Sequence, residues 1–209
     1  MTNEQRMRNL KMPDHPVDVV LDTDAYNEVD DQYAISYLLA CGEKLRLQAF
    51  YAAPFLKPHL ESVKMGMEES YREIKDLLKL AEREATVLRG SDRFLQDEKT
   101  PVISNAAQDL ARRAMGYSPV EPLYVIAIGA ITNVASAILL EPKVAENAVV
   151  IWLGGHGKRC ALCAAALQWC GELLPHLRSG AGILARWEKP ADRLSGCIHQ
   201  KNGGELCSR

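Results

Sequence analysis

The sequence has no long hydrophobic run and almost no net charge, and each absence excludes a class of protein. No segment approaches the roughly 18 apolar residues that a membrane-spanning helix needs. A net charge of -2 over 209 residues leaves no basic excess of the kind that nucleic-acid-binding proteins carry. The polar N-terminus lacks the apolar core of a secretory signal, which predicts a cytoplasmic location. We therefore expect a globular protein with neither a membrane nor a nucleic acid as its partner.

Cysteine is nearly absent from residues 1–157, where Cys41 stands alone. The last quarter differs, because residues 158–209 hold five of the six cysteines and eight basic against four acidic side chains. We predict a boundary near Lys158 between an α/β domain (1–157) and a basic, cysteine-rich tail (158–209). A zinc site is the alternative for the tail, although the second ligand pair typical of structural zinc sites is missing. Its candidate ligands are His156, Cys160, Cys163 and Cys170.

Short apolar runs alternate along the chain with segments of helical spacing. The predicted strands cover 17–21, 45–53, 85–91, 123–128 and 147–157, and the predicted helices cover 31–41, 62–84, 102–115 and 132–140. This alternation predicts an α/β fold with a mostly parallel open sheet and flanking helices. Ligands of such sheets bind at the C-terminal ends of the strands.

Four aspartates follow the first predicted strand: Asp22, Asp24, Asp30 and Asp31. Carboxylates this close raise one another's affinity for protons, and a divalent cation relieves the repulsion. Hard ions such as Ca²⁺ and Mg²⁺ prefer oxygen ligands, and no histidine or cysteine is near enough to offer softer ones. The alternative is that Asp30 and Asp31 only place favourable charge at a helix N-terminus. That alternative leaves Asp22 and Asp24 unexplained.

The aspartate segment has the features of a known family. "VVLDTDAYNEVDDQYAI" resembles the opening Asp-x-Asp-x-x-x-Asp-Asp motif of the nucleoside hydrolases of the inosine-uridine-preferring type. "VLRGSDRFL" resembles the family's Gly-Ala/Ser-x-x-Pro-Leu segment, "YVIAIGAITNVASAI" its Ile-Gly-Pro-Leu-Thr-Asn-x-Ala segment, and "VIWLGG" its strand ending in Met-Gly-Gly. These segments occur in the family's order across residues 17–157, about two thirds of the chain.

The resemblance implies a function and a set of site residues. It implies Ca²⁺ held by Asp24, Asp31 and the backbone carbonyl of Thr132, with Asp30 and Asp31 at the ribose hydroxyls. Asp24 would act as general base toward a water that attacks the anomeric carbon, releasing ribose and free base from a nucleoside. Asp22 and Asn133 would support the site rather than bind the ion. We also expect the Thr-Asn pair to cap the helix that follows it.

The chain departs from the family pattern in two places. Five residues separate Asp24 from Asp30, where the family has three. After Lys158 no Glu-Phe-Asn segment follows, and the only aspartate is Asp192, in an unrelated context. We therefore expect a truncated or divergent C-terminal part, such as a shifted reading frame produces, and an exposed sheet edge that favours homo-oligomers.

Two other functions remain open from the sequence. One is a catalytically inactive ribose- and metal-binding remnant of the nucleoside hydrolase family. The other, less favoured, is a phosphatase of the Asp-x-Asp type with Asp22 as its nucleophile.

Overall fold

The central strand of the sheet is β1 (Val17–Thr23), an apolar, β-branched run that is buried along nearly its whole length. The computed structural model describes residues 2–154, and within them five strands form one parallel sheet in the order β3-β2-β1-β4-β5. Its strands after β1 are β2 (Leu45–Ala52), β3 (Val87–Arg89), β4 (Leu123–Ala127) and β5 (Ala148–Trp152). The helices are α1 (Asn3–Asn9), α2 (Val29–Ala40), α3 (Val63–Leu80), α4 (Asn105–Arg113), α5 (Thr132–Leu140) and α6 (Val144–Asn147), and a 3₁₀ turn (Ala114–Gly116) follows α4.

Helices cover both faces of the sheet. On one face Val20 and Val125 pack with Leu110 of α4 and Val134 of α5. On the other face Leu21 and Phe50 pack with side chains of α2 and α3, which include Ile35 and Ile74. Burial on both faces explains why the strands are continuous apolar runs rather than alternating ones. The predicted fold class is confirmed.

Several element boundaries differ from the predicted ones. β1 extends beyond the predicted 17–21 because Asp22 and Thr23 continue its ladder, opposite Tyr51 and Ala52 of β2. α2 begins at Val29, earlier than predicted. α4 begins only at Asn105, since the Ser104 hydroxyl accepts a hydrogen bond from the Ala107 amide (3.1 Å) and caps the helix there. The short helices α1 and α6 were not predicted.

The expected capping role of Thr132 and Asn133 is wrong. The N-cap of α5 is Ile131, which makes no side-chain cap, and both polar residues lie inside the first turn. Asn133 instead hydrogen-bonds to other strands, as described below.

The predicted tail (158–209) and the alternative zinc ligands from His156 onward lie outside the described residues. Among residues 2–154, no helix is long and apolar enough to span a membrane. β5 lies at one edge of the described sheet, where Ile151 is 37% exposed and Leu153, directly after the strand, is 60% exposed. The predicted homo-oligomer stays a prediction.

Candidate strand-end carboxylate site

The ends of three neighbouring strands are tied together around the exit of β1. Ile128 donates its amide to the Asp22 carbonyl (2.9 Å), and Ala53 donates to the Thr23 carbonyl (2.8 Å). These bonds fix the backbone just before Asp24 from both sides. Because β1 is central, its aspartates emerge where the neighbouring chain segments leave the sheet.

Asp24 is held by the loop that follows it. Its side chain is buried, at 6% exposure, and its Oδ2 accepts a hydrogen bond from Asn27 Nδ2 (2.9 Å). The backbone N–H of Asn27 also donates to the backbone carbonyl of Asp24 (2.6 Å), which closes a tight turn. Lys57, in the segment after β2, donates its ammonium to the Asn27 carbonyl. The longer loop between Asp24 and Asp30 is therefore folded back onto Asp24.

Gly129 provides the space beside Asp24. A Cβ built on Gly129 would lie 2.7 Å from Asp24 Oδ1 and 3.2 Å from the Cβ of Ala53. The Gly129 carbonyl accepts a hydrogen bond from Trp152 Nε1 (3.0 Å), which holds this backbone in place. Gly129, the glycine of the "IGA" segment, therefore has a steric role that was not predicted from the sequence.

Asp31 approaches the site from α2. It lies in the first turn, is 4% exposed, and accepts a hydrogen bond from the Thr23 hydroxyl. Asp30 precedes it and is exposed at the helix start. The structure therefore brings Asp24 and Asp31 together as buried carboxylates, with Asp30 on the accessible side.

Burial and repulsion from neighbouring carboxylates disfavour the charged forms of Asp22, Asp24 and Asp31. Burial, followed by repulsion from Asp31, raises the pKa of Asp24 to about 7. Burial also raises the pKa of Asp31 to about 6, although the Thr23 hydroxyl opposes the change. For Asp22, burial raises the pKa to about 7 against the hydrogen bond from Asn133. Without a counter-charge, the site binds protons readily near neutral pH.

Asp22 is fully buried and connects to Asn133. Its Oδ1 accepts from Asn133 Nδ2 (2.8 Å), while its Oδ2 is buried without a hydrogen-bond partner among the described residues. Asn133 also reaches Ser91, beyond β3. Sequence reasoning predicted Asp22 and Asn133 as supporting residues. It missed Ser91, Asn27, Lys57 and Gly129, although all of these except Lys57 lie within the motifs that carry the resemblance.

The donor set fits a hard divalent cation in its chemistry. Asp24 and Asp31 are buried carboxylates with raised pKa values, and Asp22 has a nearby buried oxygen without a hydrogen-bond partner among the described residues; all three features favour a positive charge. Thr132, the third predicted ligand, is the first residue of α5 and is 5% exposed. Within residues 2–154, however, no three His, Cys, Asp or Glu side chains converge as a preformed metal centre. Ca²⁺ binds six to eight oxygens, so it would need further oxygens from backbone, water or a ligand.

Solved structures share this fold. The effector protein XOO4466 is similar at 18% identity and a TM-score of 0.58, over 83% of this chain and 56% of its own. The type III effector protein XopQ, complexed with adenosine diphosphate ribose, is similar at 15% identity and a TM-score of 0.58, over 86% of this chain and 61% of its own. An inosine-guanosine nucleoside hydrolase matches at 19% identity and a TM-score of 0.49, over 68% of this chain and 49% of its own.

The XOO4466 and XopQ structures share the fold class of this chain, an open parallel α/β sheet with flanking helices. The chain spans about half to three fifths of the length of those solved structures. No family model and no curated protein matches the sequence. The roles of the individual site residues stay predictions.

Proposed function

We propose that the strand-end carboxylates bind Ca²⁺ and a ribose, and that the protein hydrolyses the N-glycosidic bond of ribonucleosides. The observation that carries the proposal is the pair of buried carboxylates at the end of the central strand, Asp24 and Asp31, whose charged forms are disfavoured by burial and by repulsion from neighbouring carboxylates. Two further findings support it. The four motifs that resemble the nucleoside hydrolases occur in the family's order, and the XopQ structure of the same fold contains a ribose compound.

Each carboxylate has a role that its surroundings favour. Asp24 Oδ2 accepts the hydrogen bond from Asn27. We therefore assign Oδ1 as the oxygen that faces an ion or takes a proton. The exposed carboxylate of Asp30 is accessible to the hydroxyls of a ribose. Asp31, held by Thr23, supplies fixed negative charge beside both.

The proposed reaction uses these groups as follows. A divalent cation, when bound, lowers the pKa of a water molecule and orients the sugar hydroxyls. Asp24 accepts the proton as the water oxygen bonds to the anomeric carbon. The bond from that carbon to the base nitrogen breaks with its electron pair on the base, which takes up a proton. Negative charge from Asp31 stabilises the oxocarbenium-like transition state.

A second candidate function is ribose and metal binding without turnover. It is favoured by the absence, within residues 2–154, of a third carboxylate that converges with Asp24 and Asp31. The phosphatase alternative is disfavoured, because Asp22 is fully buried and hydrogen-bonded to Asn133, whereas a nucleophile must reach the substrate.

Release of free ribose from inosine and uridine tests the proposal. The full chain is stripped with EDTA, supplied with Ca²⁺, and compared with Asp24→Ala, which should lose both calcium binding and ribose release because it removes ligand and base. Asp18→Ala is the control, since Asp18 is in the same strand but pairs with Arg46 at the other end.

The outcomes separate the functions. Calcium-dependent ribose release that Asp24→Ala abolishes supports the hydrolase. Calcium binding without any ribose release favours the binding module. Hydrolysis of p-nitrophenyl phosphate with Mg²⁺ that depends on Asp22 supports the phosphatase. Ribose release that persists in Asp24→Ala contradicts the assigned site.

A further inference from the structure

Asn133 connects the ends of four strands through one side chain. From the first turn of α5, after β4, its Nδ2 donates to Asp22 Oδ1 of β1 (2.8 Å) and to the Ala52 carbonyl of β2 (3.2 Å). Its Oδ1 accepts from both the amide and the hydroxyl of Ser91, beyond β3 (2.7 and 2.8 Å). Asn133, Asp22 and Ser91 are all fully buried. Both donor hydrogens and both acceptor positions of the side-chain amide are used.

The chain around this amide leaves no spare room. A Cβ built on Gly90 would lie 2.0 Å from the Ala52 carbonyl oxygen and 2.4 Å from Asn133 Nδ2. The backbone before Ser91 therefore wraps closely around the amide, and only glycine fits there. A fully satisfied amide in a closed space has one orientation, which makes it a rigid reference point.

The two segments that we propose bind the ion, at Thr132 and at Asp24, are both connected to the Asn133 side-chain network. The Thr132 carbonyl belongs to the peptide bond that joins Thr132 to Asn133. Asp24 comes two residues after Asp22, just past the end of β1. On the basis of the proposed function, we propose that Asn133 is a positioning residue that holds the Thr132 carbonyl and the Asp24 carboxylate in fixed relation across the strand ends. Ser91 acts through Asn133, because it fixes the orientation of the Asn133 amide.

Another buried polar residue on α5 shows what a purely structural contact would be. Ser136 is fully buried, and its hydroxyl accepts a hydrogen bond from the Val102 amide (3.0 Å), toward α4 rather than the strand ends. Ser136→Ala and Ser91→Ala therefore remove the same group from equally buried positions. Only Ser91→Ala loosens the bonds around Asn133.

The test measures calcium affinity and stability separately. Calcium titration calorimetry is done on the wild-type full chain and on Asn133→Ala, Ser91→Ala and Ser136→Ala, together with urea unfolding in EDTA. Asn133→Ala should lower calcium affinity by about 10- to 100-fold, the usual effect of removing a group that orients metal ligands. Ser91→Ala should lower it by about tenfold. Ser136→Ala should lose comparable stability to Ser91→Ala and keep the wild-type affinity.

A spectroscopic measurement distinguishes positioning from general destabilisation. Tb³⁺ replaces Ca²⁺ as the probe, and its luminescence lifetime shortens when water takes the place of a protein oxygen. The lifetime should be shorter in Ser91→Ala and Asn133→Ala than in wild type, and unchanged in Ser136→Ala. If Asn133→Ala does not fold, Ser91→Ala carries the comparison.

Three results overturn the inference. Wild-type affinity and lifetime in both Ser91→Ala and Asn133→Ala would show that Asn133 does not position the ligands. Equal losses of affinity in Ser136→Ala would show a structural effect alone. A wild-type chain that binds neither Ca²⁺ nor Tb³⁺ overturns the proposed function and this inference together, whereas the first two results leave the proposed function intact.

Discussion

Replacing Gly129 with alanine should damage the carboxylate site with little change elsewhere. The added Cβ would lie 2.7 Å from Asp24 Oδ1 and 2.9 Å from its Cγ, whereas ordinary contact begins at 3.4 Å. The two atoms must therefore separate by about 0.7 Å, beyond the ~0.5 Å tolerance of a functional site. The backbone of Gly129 does not have the positive φ that favours glycine, so the effect of alanine is steric.

The expected result is a large loss of calcium affinity with a moderate loss of stability. Asn27 restrains the other oxygen of Asp24 (2.9 Å), so the carboxylate cannot rotate away without breaking that bond. We expect about 10-fold or greater weakening of calcium binding by calorimetry. Urea unfolding in EDTA should show a cost of about 1–3 kcal/mol, the usual range for overpacking a buried position.

Gly116→Ala is the matched control for this prediction. A Cβ on Gly116 meets nothing within 4 Å, and its φ is likewise outside the left-handed region. Gly116→Ala should bind calcium like wild type. If Gly129→Ala also binds calcium like wild type, the placement of Asp24 beside Gly129 is refuted. Equal losses in both variants would mean that the effect is not local.

Two further predictions concern stability. Tyr51→Phe should cost about 1 kcal/mol in urea unfolding and leave calcium affinity unchanged, because the buried Tyr51 hydroxyl donates to Asp109 Oδ2 (2.7 Å), which Arg113 also contacts. In EDTA, the free energy of unfolding should fall as the pH rises from about 4 to 7, since burial raises the pKa of Asp24 from 3.8 to about 7 and the folded state holds the proton over that range. Asp24→Asn, which cannot titrate, should show a smaller fall.

Either stability prediction can fail in a definite way. A change in calcium affinity in Tyr51→Phe would mean that the α4 side of the sheet is coupled to the carboxylates. A pH dependence in Asp24→Asn equal to that of wild type would mean that the Asp24 carboxylate is solvated rather than buried.

The sequence predicted the sheet because its strands are buried on both faces. A segment such as "VDVVL" has too few polar residues for a surface element. This apolar pattern indicates a buried strand and does not depend on the order of the strands in the sheet. The strand order β3-β2-β1-β4-β5 was not predicted, because it depends on contacts between segments far apart in the chain. The end of β1 was placed too early for the same reason, since Asp22 joins the strand only by pairing with Tyr51.

The site was predicted as a set of carboxylates but not as a network. A Thr-Asn pair before an apolar helix has the local pattern of a cap, and nothing local distinguishes that from a bond to Ser91, 42 residues earlier in the chain. The same holds for Lys57 and Asn27, which are 30 residues apart. Motifs identify which residues take part, whereas their partners follow from the folded chain.

Calcium titration of the EDTA-stripped full chain, with Asp31→Asn beside it, tests the central claim most directly. The account predicts saturable one-to-one binding to the wild type that weakens at least about tenfold in Asp31→Asn, because that variant keeps the Thr23 contact but loses the charge beside Asp24. Equal binding by both proteins, or no binding by the wild type, would contradict the claim that these strand-end carboxylates form a cation site.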